Sequence, residues 1–198
     1  DEKFDLNDLS GSSLKAFRQH AQMVFQDPYG SLNPRLTVRD IIAEPLEAMQ
    51  LTQNRNKTDV RVREIATRCR LDLEHLRRFP HAFSGGQRQR ISIARALICR
   101  PSFIVADEAV AALDVSIQAE ILELMKELQK KLGLTILFIS HDLSVIANLC
   151  EQVIVIQYGK IVEQGPVEQI FLEPKEDYTR NLISAIPTLD NLGEINAS

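Results

Sequence analysis

The chain has 198 residues, is 44% hydrophobic and 25% charged, and carries a formal net charge of −4. That balance suits a globular fold, is too apolar for a disordered chain, and excludes a protein that coats nucleic acid through bulk charge. No apolar run approaches the roughly 18 residues that cross a bilayer, and no signal-peptide core follows Asp1-Glu2-Lys3. The three cysteines, Cys69, Cys99 and Cys150, are odd in number and widely spaced. This argues against a disulfide framework or zinc site and predicts small buried hydrophobes in a reducing compartment.

In chain order, residues 12–21 read as a short helix and residues 22–26 as a strand, which stops at the turn formers Asp27-Pro28-Tyr29-Gly30-Ser31. Residues 37–49 show helical spacing, with Val38, Ile41, Ile42, Leu46 and Met49 on one side; Pro45 predicts a kink or a restart. A polar loop at 53–58 precedes another helix over 58–70, so residues 28–83 read as an all-helical subdomain. The second half has a different grain. An apolar run at 102–106 ends in Asp107-Glu108, a helix over 116–132 stops at Gly133, and a second apolar run at 134–139 ends in Ser140-His141-Asp142. A helix at 143–150 and a hairpin around Tyr158-Gly159 follow. Apolar strands without alternation predict parallel strands covered on both faces. Strand, helix, strand in that order predicts a right-handed crossover. The fold class is therefore α/β, a mostly parallel sheet flanked by helices, with ligands expected at the carboxyl ends of its strands.

Four groups of residues suggest chemistry. Ser84-Gly85-Gly86-Gln87 opens a helix with the spacing of a capping box, and its two glycines leave backbone N–H groups available to an anion such as phosphate. A plain helix cap is the competing reading. Asp107 and Glu108 end a buried strand; alternation along the strand would point them different ways, one toward a Mg²⁺ and one toward a water. A solvated strand end is the bland alternative. His141 ends the neighbouring strand, on the same expected rim, although a lone histidine is more often structural. Gln26 also ends a strand, and its carbonyl oxygen could orient a water or touch a metal.

The order Gln26, Ser84 to Gln87, Asp107-Glu108, Leu113-Asp114, His141 resembles the nucleotide-binding domain of the ABC ATPase family, over roughly residues 10–170. Gln26 matches the Q-loop, Ser84-Gly85-Gly86-Gln87 the signature, Asp107 the Walker B aspartate, Glu108 the catalytic glutamate, Asp114 the D-loop and His141 the switch histidine. The stretches Phe25 to Pro34, Ile42 to Leu46 and Tyr178 to Pro187 resemble the ATPase subunits of oligopeptide and dipeptide importers. The resemblance implies a P-loop NTPase-like core, partial, over 1–27 and 84–170, the helical subdomain at 28–83 and a C-terminal extension at 171–198. It implies ATP and Mg²⁺ as cofactors. Asp107 and Gln26 would hold the metal, and Glu108, His141 and Gln26 would carry catalysis. Ser84, Gly85, Gly86, Gln87, Asp107 and Asp114 would line the nucleotide. It further implies a head-to-tail dimer with a second ATPase subunit, transmembrane permease subunits contacted through 27–83, a binding protein served indirectly, no nucleic acid, and a peripheral place on the cytoplasmic face of the inner membrane. Some members carry a cysteine-bearing C-terminal extension; no cysteine follows Cys150, so none is expected here.

The match departs from the family in two places. The motif Gly-x-x-x-x-Gly-Lys-Ser/Thr does not occur, the sole Gly-Lys pair being Gly159-Lys160, and the chain opens on Asp1 rather than Met. The expectation is an N-terminally truncated domain that alone neither binds ATP tightly nor hydrolyses it. Ala109 and Ala111 stand where the family usually has Pro and Ser, which would loosen the loop between Glu108 and Asp114. Two competing readings are a non-catalytic remnant or pseudo-subunit acting as an interaction module, and a soluble ABC ATPase of translation or repair. Intact Asp107, Glu108 and His141 favour the transport ATPase.

Overall fold

The structure is a computed structural model that describes residues 4–52 and 54–185. It divides into two compact units, Asp1–Ile139 and Ser140–Ser198.

In the first unit, helix α1 (Gly11–His20) leads into strand β1 (Ala21–Val24). Helices α2 (Val38–Ala48) and α3 (Arg55–Arg68) and two short 3-10 turns, Leu73–Arg77 and Pro80–Ala82, make up the helical stretch that follows. Helix α4 (Gly85–Leu97) then precedes strand β2 (Phe103–Asp107), helix α5 (Val115–Leu132) and strand β3 (Thr135–Ile139). Thr37 caps α2 by accepting from the Asp40 N–H, and Asn54 caps α3 by accepting from the Asn56 N–H. The helix α2 does not restart at Pro45. The proline removes one ladder bond, but Ile41, Ile42 and Leu46 are all fully buried, and their burial keeps the helix whole. Gly133 ends α5 at φ 64, the left-handed stop its position predicted.

Among the described residues the sheet has three parallel strands in the order β1-β2-β3, with Val24 opposite Ala106 and Asp107 opposite Ile139. The parallel arrangement follows from the apolar runs. Val24, Ile104, Ala106 and Phe138 share the buried face, and α4 packs on β1. On the opposite face Leu137 and Ile139 are 43% and 45% exposed. Burial makes Cys69 and Cys99 inert, pushing their thiols up to about 12 and about 11, whereas Cys150 is only half-buried.

In the second unit, α6 (Leu143–Leu149) is followed by the antiparallel pair β4 (Gln152–Gln157) and β5 (Lys160–Pro166), then α7 (Val167–Leu172) and α8 (Asp177–Ser184). The hairpin turns through Tyr158 (φ 51) and Gly159 (φ 74), the left-handed pair a two-residue turn needs. Ile146, Ile170, Phe171 and Ile183 are buried. The carboxylate of Glu163 accepts from the Lys175 N–H at 2.8 Å and the Glu176 N–H at 3.3 Å, just ahead of α8. Of the extension expected at 171–198, residues 186–198 lie outside the described residues.

Candidate functional site

Asp107 closes β2 beside Ile139 and is half-buried. The next N–H, that of Glu108, still donates to the Ile139 carbonyl at 2.9 Å, so the parallel ladder runs one bond past the strand. The backbone then turns sharply. Glu108 sits at φ 44, and the Ala111 N–H donates to the Glu108 carbonyl at 3.0 Å. Left-handed backbone costs a residue with a Cβ about 1–2 kcal/mol, and such strain concentrates at functional sites. The pleat therefore does not separate the two carboxylates, as strand alternation predicted. Glu108 has left the strand, and the left-handed turn sets its direction.

Gln26 lies two residues past β1, and β1 is the neighbour of β2. Its side-chain Nε2–H donates to Glu108 Oε2, joining residues 82 apart in the chain. The sequence offered both residues as strand-end polar groups; the parallel β1–β2 pairing is what brings them together. Described residues contain no group of three or more His, Cys, Asp or Glu able to hold a metal. Asp107 and the Gln26 carbonyl are hard oxygen donors of the kind Mg²⁺ takes when phosphate oxygens complete its shell. The donor set thus fits Mg²⁺ carried by a nucleotide and does not form a self-sufficient metal site.

Ser84 and Gln87 form the expected capping box at the start of α4. Ser84 Oγ accepts from the Gln87 N–H at 3.4 Å, and Gln87 Oε1 accepts from the Ser84 N–H at 3.0 Å. Gly85 and Gly86 occupy the first two helical positions, whose N–H groups have no acceptor within the helix. The glycines also have a packing reason that the sequence did not reveal. A Cβ on Gly86 would stand 2.4 Å from Ile117 Cγ2, and one on Gly85 would stand 3.3 Å from Leu113 Cδ2. Asp114, the N-cap of α5, is exposed and makes no side-chain cap bond, while the Gln118 N–H donates to its backbone carbonyl at 2.8 Å. Ala109 is 1% exposed, so the departure there sits in packed surroundings. His141 follows β3 by two residues and belongs to the second unit; the next residue, Asp142, caps α6 by accepting from the Ser144 and Val145 N–H groups. Sequence reasoning passed over Arg88 and Arg95, whose side chains reach the turn after Gln26; an arginine next to a capping box carries no signal of its own.

The ABC transporter family model matches residues 2–111, more than half of the chain. The chain is 49% identical over 190 residues to the dipeptide transport ATP-binding protein DppF of Lactococcus lactis, covering 96% of this chain and 61% of that protein. It is 51% identical over 181 residues to the oligopeptide transport ATP-binding protein OppF of Bacillus subtilis, covering 91% of this chain and 59% of that protein. It spans about three-fifths of the length of these relatives. Among solved structures, cbiO1 of Clostridium perfringens, part of the cbiONQ ABC transporter complex, aligns with a TM-score of 0.75 at 28% identity, covering 95% of this chain and 72% of that one. An ATP-binding cassette dimer in a post-hydrolysis state with ADP and Pi aligns with a TM-score of 0.69 at 29% identity, covering 81% and 69%. A parallel sheet with a carboxylate pair at the tip of β2, a Gly-Gly capping box and a match across 2–111 converge on one conclusion: the chain belongs to the ABC transporter family.

Proposed function

We propose that the chain is part of an ATP-hydrolysing subunit that powers a peptide-type importer. The observation that carries this reading is the Gln26–Glu108 hydrogen bond at a left-handed strand end, because a strained, acid-bearing turn tied to a second polar side chain is a built chemical site. Bound Mg²⁺ would supply charge neutralisation on the phosphates. Asp107 and the Gln26 carbonyl would hold that ion. Glu108 would take a proton from the attacking water, and His141 would hydrogen-bond the terminal phosphate. The Gly85 and Gly86 N–H groups, with Ser84 and Gln87, would face the phosphate bound by a second ATPase subunit, and Asp114 would lie beside it. In this reading 1–27 and 84–170 are ATPase core, 28–83 meets the permease subunits, and 171–198 is an extension. Described helices include none long and apolar enough to cross a membrane, and a peripheral place on the cytoplasmic face follows from the importer assignment.

The test uses the intact ATPase that contains this chain. Losing a positioned base costs about 10²–10⁴ in rate. Glu108→Gln should therefore bind ATP as the parent does and turn over slower by about that factor. Parent-level hydrolysis by this variant would remove Glu108 from the mechanism. The 198 residues alone hold no Gly-x-x-x-x-Gly-Lys-Ser/Thr to wrap the phosphates. A Mg-ATP titration of this chain should show weak binding, and micromolar affinity would contradict that expectation. A non-catalytic pseudo-subunit is disfavoured, because docking alone gives no reason for Gln26 to be hydrogen-bonded to an acidic strand end 82 residues away.

A further inference from the structure

The turn after Gln26 is built locally and then fastened to a distant helix. Asp27 holds the turn itself: its carboxylate accepts from the Tyr29 N–H at 2.7 Å and the Gly30 N–H at 3.0 Å, and its carbonyl accepts from the Ser31 N–H at 3.1 Å. None of these bonds fixes where the turn lies relative to α4. Two arginines of α4 do. The Arg88 guanidinium carbon stands 4.0 Å above the centroid of the Tyr29 ring. Its Nε–H donates to the Pro80 carbonyl at 2.9 Å and an Nη2–H donates to the His81 carbonyl at 3.4 Å. Seven residues on, Arg95 Nη1–H donates to the Ser31 carbonyl at 2.8 Å. A spacing of seven is two helical turns, so both arginines leave the same side of α4.

Tyr29 is 60% exposed, so burial does not hold its ring in place. A planar guanidinium can stack its face on an aromatic ring while its edge donates to carbonyls. Arg88 does both, and it follows Gln87 directly. One side chain thus ties the Gln26 turn, the segment leading into α4 and the Ser84–Gln87 box into one body.

We propose that Arg88, acting through Tyr29, is a positioning residue that keeps Gln26 in register with Glu108 and couples the Gln26 turn to the Gly-Gly helix start. This rests on the ATPase reading for its catalytic consequence but not for the clamp itself. If the turn moves, Gln26 loses its place beside Glu108, and misplacement on the scale of 1 Å costs up to about 10²-fold in rate.

The test is a double-mutant cycle in the intact ATPase containing this chain, read by amide hydrogen exchange and by steady-state kinetics. Arg88→Ala and Tyr29→Leu should each speed exchange of the amides at 29–31 by about tenfold, with β2 amides unchanged. The double variant should be no faster than either single, and Tyr29→Phe, which keeps the ring, should exchange like the parent. Tyr29→Leu should lower kcat about tenfold or more with the KM for ATP held within about twofold. Tyr29→Leu touches only the exposed turn, so it keeps the test valid if Arg88→Ala fails to fold. Exchange effects that multiply, parent-like exchange in Tyr29→Leu, or a loss confined to KM would overturn the proposal. Parent-level turnover in Glu108→Gln would instead overturn the ATPase reading and leave the exchange result standing.

Discussion

At the tip of β2 a glutamate occupies left-handed backbone that glycine would adopt freely, whereas at the start of α4 two glycines occupy ordinary helical backbone that other residues would favour. The first position keeps its side chain despite the strain. The second keeps no side chain because Leu113 and Ile117 fill the space. Glu108 keeps a carboxylate that accepts from Gln26, and Gly86 is required by how closely two helices approach.

Exchanging the two residue types gives the strongest test of that contrast. Glu108→Gly should relieve the left-handed strain and leave thermal stability at or above the parent, yet in the intact ATPase it should lower turnover by about 10²–10⁴. An unstable but active Glu108→Gly variant would reverse the assignment. Gly86→Ala should do the opposite first. Its Cβ would meet Ile117 Cγ2 at 2.4 Å, and overpacking of this kind costs about 1–3 kcal/mol. A melting curve should show a drop of about 2–4 °C per kcal/mol lost. An unchanged midpoint would mean that Ile117 moves aside without cost, leaving phosphate contact as the reason for the glycine.

A smaller effect separates the acidic strand end of the first unit from an acidic support in the second. The Lys175 N–H, followed by other donors including the Glu176 N–H, holds the Glu163 carboxyl below its ordinary value of 4.5. Because the folded value is depressed, this contribution is fully present above about pH 4.5 and is lost as pH falls through the lower folded value. The protection factors of the Lys175 and Glu176 amides, taken against their intrinsic rates at each pH, should fall across that acid window, and Glu163→Gln should remove that fall. The smallest expected change is a gain. Gln50 ends α2 at φ 56, with the Leu51 N–H donating to the Leu46 carbonyl at 2.9 Å, the arrangement glycine usually completes. Gln50→Gly should raise stability by up to about 1 kcal/mol, read as a small upward shift of the melting midpoint, since no chemistry calls for strain there. A lower midpoint would show that the Gln50 side chain contributes more than its backbone costs.

Local patterns carried much of this molecule. Ser84 and Gln87 announce a capping box because the two partners lie within one helical turn, and Gly133 and Tyr158-Gly159 announce stops and turns because left-handed backbone is a local demand. Asp107 and Glu108 announce a strand end because an apolar run stops there. The order of Gln26, Ser84 to Gln87, Asp107-Glu108, Asp114 and His141 was enough to point to the family. The tertiary structure alone decided that Gln26 reaches Glu108, that Ile117 requires Gly86, and that Arg88 grips Tyr29. Each of these joins residues far apart in the chain. Composition and periodicity report what a segment can bury or how it can turn; which distant segment it meets depends on strand pairing and helix approach.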